Sequence, residues 1–206
     1  MRVLVAERLG LTRRDSGAER RALSAAALLL LSIAGACLTG LLAQIHVRLP
    51  LGVTPVPFTG QVLGVLICGA FLGGGYGLLS QTVYVGLGAA GLPWFAGLSG
   101  GFGALQGVTG GYLIGFVMAA YFLGACTKRS PRLRTFRAQL LLMLVAVGII
   151  HAFGVFHLML LLGVGPVKAF ALGSLPFVAG DVIKSLIAAS LCAAVLRGRT
   201  LAKEGT

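Results

Sequence analysis

The chain has 206 residues, of which 57% are apolar and 11% charged, with a mean hydropathy of +0.97. Soluble domains carry charge at about a quarter of their positions, so a water-soluble globule is excluded. A net charge of +12 would suit nucleic acid in a soluble protein, but here the basic residues flank apolar blocks and build no basic face interleaved with aromatics, which argues against a nucleic-acid partner.

Between Ala22 and Thr127 the sole acid or base, histidine aside, is Arg48, and between Glu19 and Glu204 the sole acid is Asp181. Such segregation is a bilayer pattern. Counting about 20 apolar residues per span, and cutting at glycine and proline breaks, predicts an all-α polytopic protein with six transmembrane helices. They lie near Ala22 to Ile45, Phe58 to Leu72, Tyr76 to Ala90, Thr109 to Cys126, Ala138 to Gly163 and Pro176 to Leu196. The second and third are short and separated only by Gly73, Gly74 and Gly75, so they are either tilted and tightly turned or partly re-entrant.

At the start, Arg20-Arg21, an apolar run and Ala34-Gly35-Ala36 before Cys37 imitate a secretory signal, but the run continues to Ile45 and is long enough to span. Six lysines and arginines precede the first span, five lie between spans four and five, and three follow the last, whereas the opposite loops hold only Arg48 and Lys168. The positive-inside rule therefore places both termini in the cytoplasm of a cell-membrane protein. The layout is a basic cytoplasmic tail over 1–21, a six-helix domain over 22–196 and a cytoplasmic tail over 197–206. LPWFAG at Leu92 to Gly97 and LPFVAG at Leu175 to Gly180 are alike but occupy opposite ends of their spans, so they are weak support for a duplication.

Asp181 with Lys184 in the last span is the strongest single feature, because an ionisable side chain in the membrane costs about 2.5–3.5 kcal/mol even on lenient scales. If Pro176 opens the helix with Ser174 near to cap it, Asp181 lies about two turns in and Lys184 one turn deeper, on a shared face. The pair either neutralises itself structurally or forms a polar site. In the latter case it suits a neutral group that both donates and accepts hydrogen bonds, such as a cyclic urea.

Between spans three and four, GLPWFAGLSGGFGALQGVTGGY holds eight glycines in 22 residues and no charge. It is either a ligand-approaching external loop, with Gly97, Ser99 and Gly100 at its centre, or a plain uncharged turn. Gln61, Gln81, Tyr84, Tyr112 and His151 are uncharged polar residues in apolar blocks, each more in keeping with helix-to-helix bonding when taken singly. The four cysteines show no ligand spacing and read as packing residues; no metal or cofactor is expected.

The segments VPFTGQVLGVLICGAFLGGGYGLLSQTVYVGLGAAGLPWFAGLSGGFGALQGVTGGYLIGF, from Val56 to Phe116, and LPFVAGDVIKS, from Leu175 to Ser185, resemble the BioY family. These are the biotin-binding S components of energy-coupling-factor transporters, and the likeness covers roughly Val56 to Leu196. It implies a six-helix, N-in/C-in protein that captures biotin from outside. Asp181 and Lys184 are then the residues that contact the ureido ring; Tyr84, Gln81 and the glycine-rich loop line the same pocket, and Gln61 belongs to the shared P-F-T-x-Q segment. Where relatives place an arginine in or beside the external loop toward the biotin carboxylate, this loop has none, leaving Ser99, backbone N–H groups or Lys168.

The resemblance also implies a transmembrane T component and two cytoplasmic ATPases, since the chain has no phosphate loop of its own. Ala22, Ala26, Ser32, Ala36 and Gly40 offer small residues at helix-packing spacing, either for docking that T component or for packing within the chain. Two other function classes stay open on the residues alone. A rhomboid-like serine protease would use Ser99 in Gly97-Leu98-Ser99-Gly100 with His151 as base, and an ion-coupled secondary transporter would use Asp181 as proton carrier.

Overall fold

The computed structural model describes residues 13–48 and 53–204, with side chains described over 25–48, 53–130 and 132–195. Helix α1 (Arg13–Ala43) leads into a two-residue strand β1 (His46–Val47), which pairs antiparallel with β2 (Phe58–Thr59). Helices α2 (Gln61–Leu72) and α3 (Gly74–Ala89) follow, then a loop containing the one-turn α4 (Gly103–Gln106). The long α5 (Gly110–Arg129) and α6 (Phe136–Leu162) are joined by a 3₁₀ turn over Pro131–Arg134. A short α7 (Pro166–Gly173) and a 3₁₀ turn (Leu175–Phe177) precede α8 (Val178–Glu204).

Four segments among the described residues are long and apolar enough to cross a membrane: Ala25–Ala43, Gly110–Arg129, Phe136–Leu162 and Pro166–Val195. The chain is an all-α, multi-pass membrane protein. Its outward faces agree, because Leu30, Leu41, Leu141, Phe156 and Leu160 are exposed, as side chains facing lipid should be.

Helix α2 packs on α1, α3, α5 and α8 and is apolar all round, the pattern of a helix enclosed by others. At 12 residues it spans about 18 Å, well short of a hydrocarbon core about 30 Å thick. It turns into α3 with no intervening loop. Gly73 permits this, with φ of +79° at the joint, a region that side-chain-bearing residues rarely enter. The joint is clamped by α5: a Cβ on Gly124 would collide with the backbone of Gly73 and Gly74. Backbones this close exchange dense van der Waals contact without side chains between them.

The bundle has two chemically distinct ends. The α2–α3 joint lies against Lys128 at the end of α5, Lys128 Nζ sits 5.9 Å from the Tyr76 ring centroid, and α8 packs on the basic Pro131–Arg134 turn. At the other end, Gln44 just beyond α1 bonds the glycine-rich loop, its Nε2 donating to the carbonyls of Trp94 at 3.1 Å and Phe95 at 3.2 Å.

Several boundaries differ from those read in the sequence. Helix α1 is already formed at Arg13, before the expected start at Ala22, and α8 continues to Glu204, past Leu196. Alanine, arginine, lysine and glutamate are good helix formers, so the helices continue where hydropathy falls. Helix α2 starts at Gln61, because Phe58 and Thr59 are taken by the ribbon. Pro176 lies in a 3₁₀ turn ahead of α8, and Ser174 supplies no side-chain cap. Helix α7 was not anticipated within the loop that carries Lys168.

The Gly124 contact yields a direct check. Gly124→Ala is expected to lower stability in detergent by about 1–3 kcal/mol through overpacking. Gly148→Ala, where an added Cβ meets nothing within 4 Å, should be neutral or stabilise by up to about 1 kcal/mol. Thermal unfolding of both variants measures this, and equal melting temperatures would contradict the clamp.

Candidate functional site

Asp181 opens the first turn of α8, only 3% exposed. Lys184, one turn on, donates from Nζ to Asp181 Oδ1 at 2.8 Å, while His151 on α6 places Nε2 2.8 Å from Oδ2. A carboxylate in a dry setting is costly unless every lone-pair direction is answered, and here both oxygens have a partner. Ser185 Oγ donates to the Asp181 backbone carbonyl at 2.7 Å and ties the same turn.

Aromatic rings frame the group. Lys184 Nζ stands 4.0 Å from the Phe58 ring centroid, a cation–π contact, and Phe58 stacks on Phe177 at 6.1 Å. His151 meets Tyr112 edge-on at 6.1 Å and tilts against Phe177 at 6.3 Å. Tyr112 in turn donates its hydroxyl to the Gly173 carbonyl at 2.5 Å, tying α5 to the end of α7.

A narrow cavity runs past this group, lined by Asp181, Lys184, His151, Tyr112, Thr59 and Gln61 among apolar Val56, Leu113, Phe116 and Phe177. It shares the walls Val56, Pro57, Gln61, Thr109 and Leu113 with a wider cavity of about 450 Å³ beneath the glycine-rich loop. Ser99, Gly100, Thr54 and Arg48 line the wider part. Together they make one cleft, with a buried charged pocket at one end and a polar chamber at the other.

Gln61 stands between the two parts. Thr59 Oγ1 donates to its Oε1 at 2.8 Å, and its Nε2 donates to Tyr84 Oη at 2.7 Å. Tyr84 donates onward to the Trp94 carbonyl at 3.3 Å, and Trp94 Nε1 returns a bond to the Tyr84 carbonyl at 2.9 Å. Tyr84 is thus buried behind Gln61, fixing its amide and the glycine-rich loop together. Gln81, one turn earlier on α3, faces α1 instead, its Nε2 donating to Thr39 Oγ1 at 3.2 Å, and is not among the residues lining either cavity.

In the loop, Gly97 has φ of +72° and packs near His46, while Ser99 Oγ donates to the Ala96 carbonyl at 2.9 Å. Neither Lys168 nor Gly97 lines the cleft. His151 is the site residue that sequence reasoning left as a structural one. Its only signal was a polar ring, one of two histidines, in a largely apolar span. With His151 bound to Asp181 and Ser99 turned onto its own loop, the two do not form a nucleophile and base.

The small residues of α1 divide. Ser32 and Ala36 are fully buried, and Gly40 meets the Trp94 ring, 3.2 Å from the Cβ it would carry. These three pack inside the chain, the second of the two alternatives their spacing left open: α1 approaches α2, α3 and the loop closely there. Ala26 faces outward, and the Ala22 side chain lies outside the described residues.

The site's chemistry is specific: a carboxylate that accepts and an ammonium that donates, side by side, with no net charge between them. The BioY family profile matches residues 16–200. The chain belongs to the BioY family. Relatives of this BioY protein include the probable biotin transporter BioY of Methanothermobacter thermautotrophicus, 43% identical over 138 residues that cover 62% of this chain and 85% of the relative. The biotin transporter BioY of Rhizobium etli is 36% identical, with 80% and 94% covered, and that of Thermotoga maritima is 41% identical, with 69% and 81% covered. A crystal structure of the S-component for biotin from an ECF-type ABC transporter shares the fold, with a TM-score of 0.77 over 84% of this chain and 93% of that one at 22% identity. As a BioY protein the chain is a transport protein and not an enzyme, which closes the protease alternative.

The charge arrangement sets a stability test. Lys184→Met leaves Asp181 without its cation and is expected to destabilise the ligand-free protein by about 3–5 kcal/mol. The double variant Asp181→Leu/Lys184→Met removes both charges and should melt closer to the parent than Lys184→Met does. A double variant less stable than the single one would show that the pair is not held by charge compensation.

Proposed function

We propose that this BioY protein binds biotin in the cleft and serves as the substrate-capture S component of an ECF-type transporter. The observation that carries the reading is the buried Asp181–Lys184 pair at the closed end of the cleft, in a chain whose relatives are named biotin transporters. Biotin presents a cyclic urea on a compact fused ring. One of its N–H groups donates to a remaining lone pair of Asp181, and its carbonyl accepts from Lys184. Both are charge-assisted bonds, strengthened by exclusion of water. His151 holds the second carboxylate oxygen, so Asp181 does not swing when ligand arrives.

Phe177, Phe116 and Tyr112 supply the apolar faces that a fused ring needs, with Phe58 stacked on Phe177. Gln61, backed by Tyr84, lines the passage, and Ser99 and Gly100 border its outer part. Gly97 shapes the loop at that mouth, and Gln81 supports α3 against α1.

In the membrane, α1, α2, α3, α5, α6 and α8 form six spans, with α2 and α3 as the short pair. The basic end, where α5 meets α6, faces the cytoplasm together with both termini, and the glycine-rich loop faces outward. Biotin therefore enters from outside through the wide part of the cleft. Energy comes from a transmembrane T component and two cytoplasmic ATPases, because the chain carries no phosphate loop. The outward side chains Leu29, Leu30 and Ile33 of α1 give a T component an apolar face to pack on.

Calorimetry on the purified protein is expected to give one biotin per chain, with no binding from a panel of vitamins that lack a cyclic urea. Asp181→Asn should weaken biotin by about tenfold or more, the loss of a hydrogen bond to a charged group. Wild-type protein that binds no biotin would overturn the reading; unchanged affinity in Asp181→Asn would remove the assignment of the ring to this pair.

A further inference from the structure

We infer that the membrane-facing groove between α6 and the α7–α8 segment is a phospholipid site, which takes one acyl chain along its length and the lipid's anionic head at Lys168. The groove is a cavity of about 660 Å³, larger than the chamber beneath the glycine-rich loop. His151 and Asp181 belong to its wall as well as to that of the ring pocket.

Its lining follows two helical stripes. Leu144, Gly148, Ala152, Val155 and Met159 line it from α6, and Pro166, Phe170, Ser174, Val178 and Val182 line it from α7 and α8, each about one turn from the last. Only Ser174 among these ten is polar. From Leu144 to Met159 the stripe rises about 22 Å, more than one leaflet's half of a hydrocarbon core about 30 Å thick, so an acyl chain can lie in it from end to end. Both walls belong to segments long and apolar enough to cross a membrane, and Leu144, Phe156, Phe170 and Val178 are exposed along the rim. Gly148 is a separate indication. A glycine inside a helix weakens it, yet a Cβ on Gly148 would meet nothing within 4 Å, so no close packing among the described residues calls for one. The room it leaves is room in the groove.

Shape selects the occupant. A helix with its side chains is about 10–12 Å across, too thick to reach a residue such as Asp181, 3% exposed where α6 and α8 pack together. A single hydrocarbon chain reaches it. Charge sets the polar end. Lys168 is exposed in the first turn of α7, at the same end of the groove as Met159 and Pro166. Among the residues whose side chains are described, the sole carboxylate is Asp181, whose oxygens are bound by Lys184 and His151. An anionic lipid head therefore answers Lys168, while the groove wall presents the chain with no unpaired charge. An acyl chain against this wall keeps water from Asp181. It thereby strengthens the bonds of the carboxylate to Lys184, to His151 and, on the reading of the cleft as a biotin site, to the ureido ring.

Phosphatidylglycerol and phosphatidylcholine with matched acyl chains are the probes, added to protein purified in CHAPS, a steroid detergent without an alkyl chain. Native mass spectrometry is expected to show one phosphatidylglycerol per wild-type chain, preferred over phosphatidylcholine by about fivefold, the range for one lysine at a lipid surface. Gly148→Leu, which grows into open space, and Ala152→Leu, one turn on, should fold and lose that lipid. Lys168→Gln should keep one lipid but hold the two heads within about twofold. In calorimetry, phosphatidylglycerol should tighten biotin binding to wild-type protein by about threefold or more and leave Gly148→Leu unchanged, since its own side chain keeps the wall dry. Wild-type protein that retains no phospholipid overturns the proposal, as does full retention in both leucine variants or a headgroup preference that survives Lys168→Gln. A wild-type dimer that both leucine variants dissociate assigns the groove to a second copy of the chain and overturns it too. Lipid that binds without changing biotin affinity removes its role behind Asp181. If lipid binds as expected and no biotin binds at all, the groove stands and it is the biotin reading that fails.

Discussion

A single carboxylate organises this protein. Asp181 is the only acid within the apolar body of the chain, and burying it demands partners for both oxygens. Lys184 answers from the next turn of α8, and His151 answers from α6. That three-residue contact fixes how α6 and α8 approach. It also leaves the pair on the wall of a cleft instead of facing lipid, where neither charge could be sustained. The aromatic frame of Phe58, Phe177 and Tyr112 then shields the group from three other elements.

The second constraint is close packing of glycine and small residues. α2 and α3 carry glycines at Gly69, Gly74 and Gly77 where they meet α5, so α5 approaches their joint backbone to backbone. This seam lets four neighbours enclose α2, so that Gln61 at its first turn can project into the cleft. The glycine-rich loop covers the same region, held by Gln44 at one edge and by Tyr84 and Trp94 at the other. Closed ring pocket, passage and covered chamber therefore lie along one line of support from α8 to β1.

Much of this was legible in the sequence, for identifiable reasons. Long apolar runs marked the four long helices, because hydropathy is the dominant signal in a bilayer, and a spacing of three positions on one helix put Asp181 and Lys184 within reach. Gln81 and Tyr84, also three apart, show the limit of the same rule. They point about 60° from each other around α3, enough for one to face α1 and the other Gln61. His151 escaped because α6 is apolar over most of its 27 residues, and no periodicity marks which side turns inward.

Arg48 was seen only as a loop charge. A ribbon of two residues on each strand has no alternation to read, so nothing in the sequence placed Arg48 beside the glycine-rich loop. Whether Ser32, Ala36 and Gly40 pack within the chain or against a partner was not legible for a related reason: small residues at helix spacing fit any close helix, including those of the same chain. The most direct measurement of the central claim is a crystal structure of the protein with biotin. The account expects the ureido ring within hydrogen-bonding distance of Asp181 and Lys184, with His151 still on the carboxylate. Biotin bound elsewhere, with that pocket empty or with the two side chains turned outward to lipid, would contradict it.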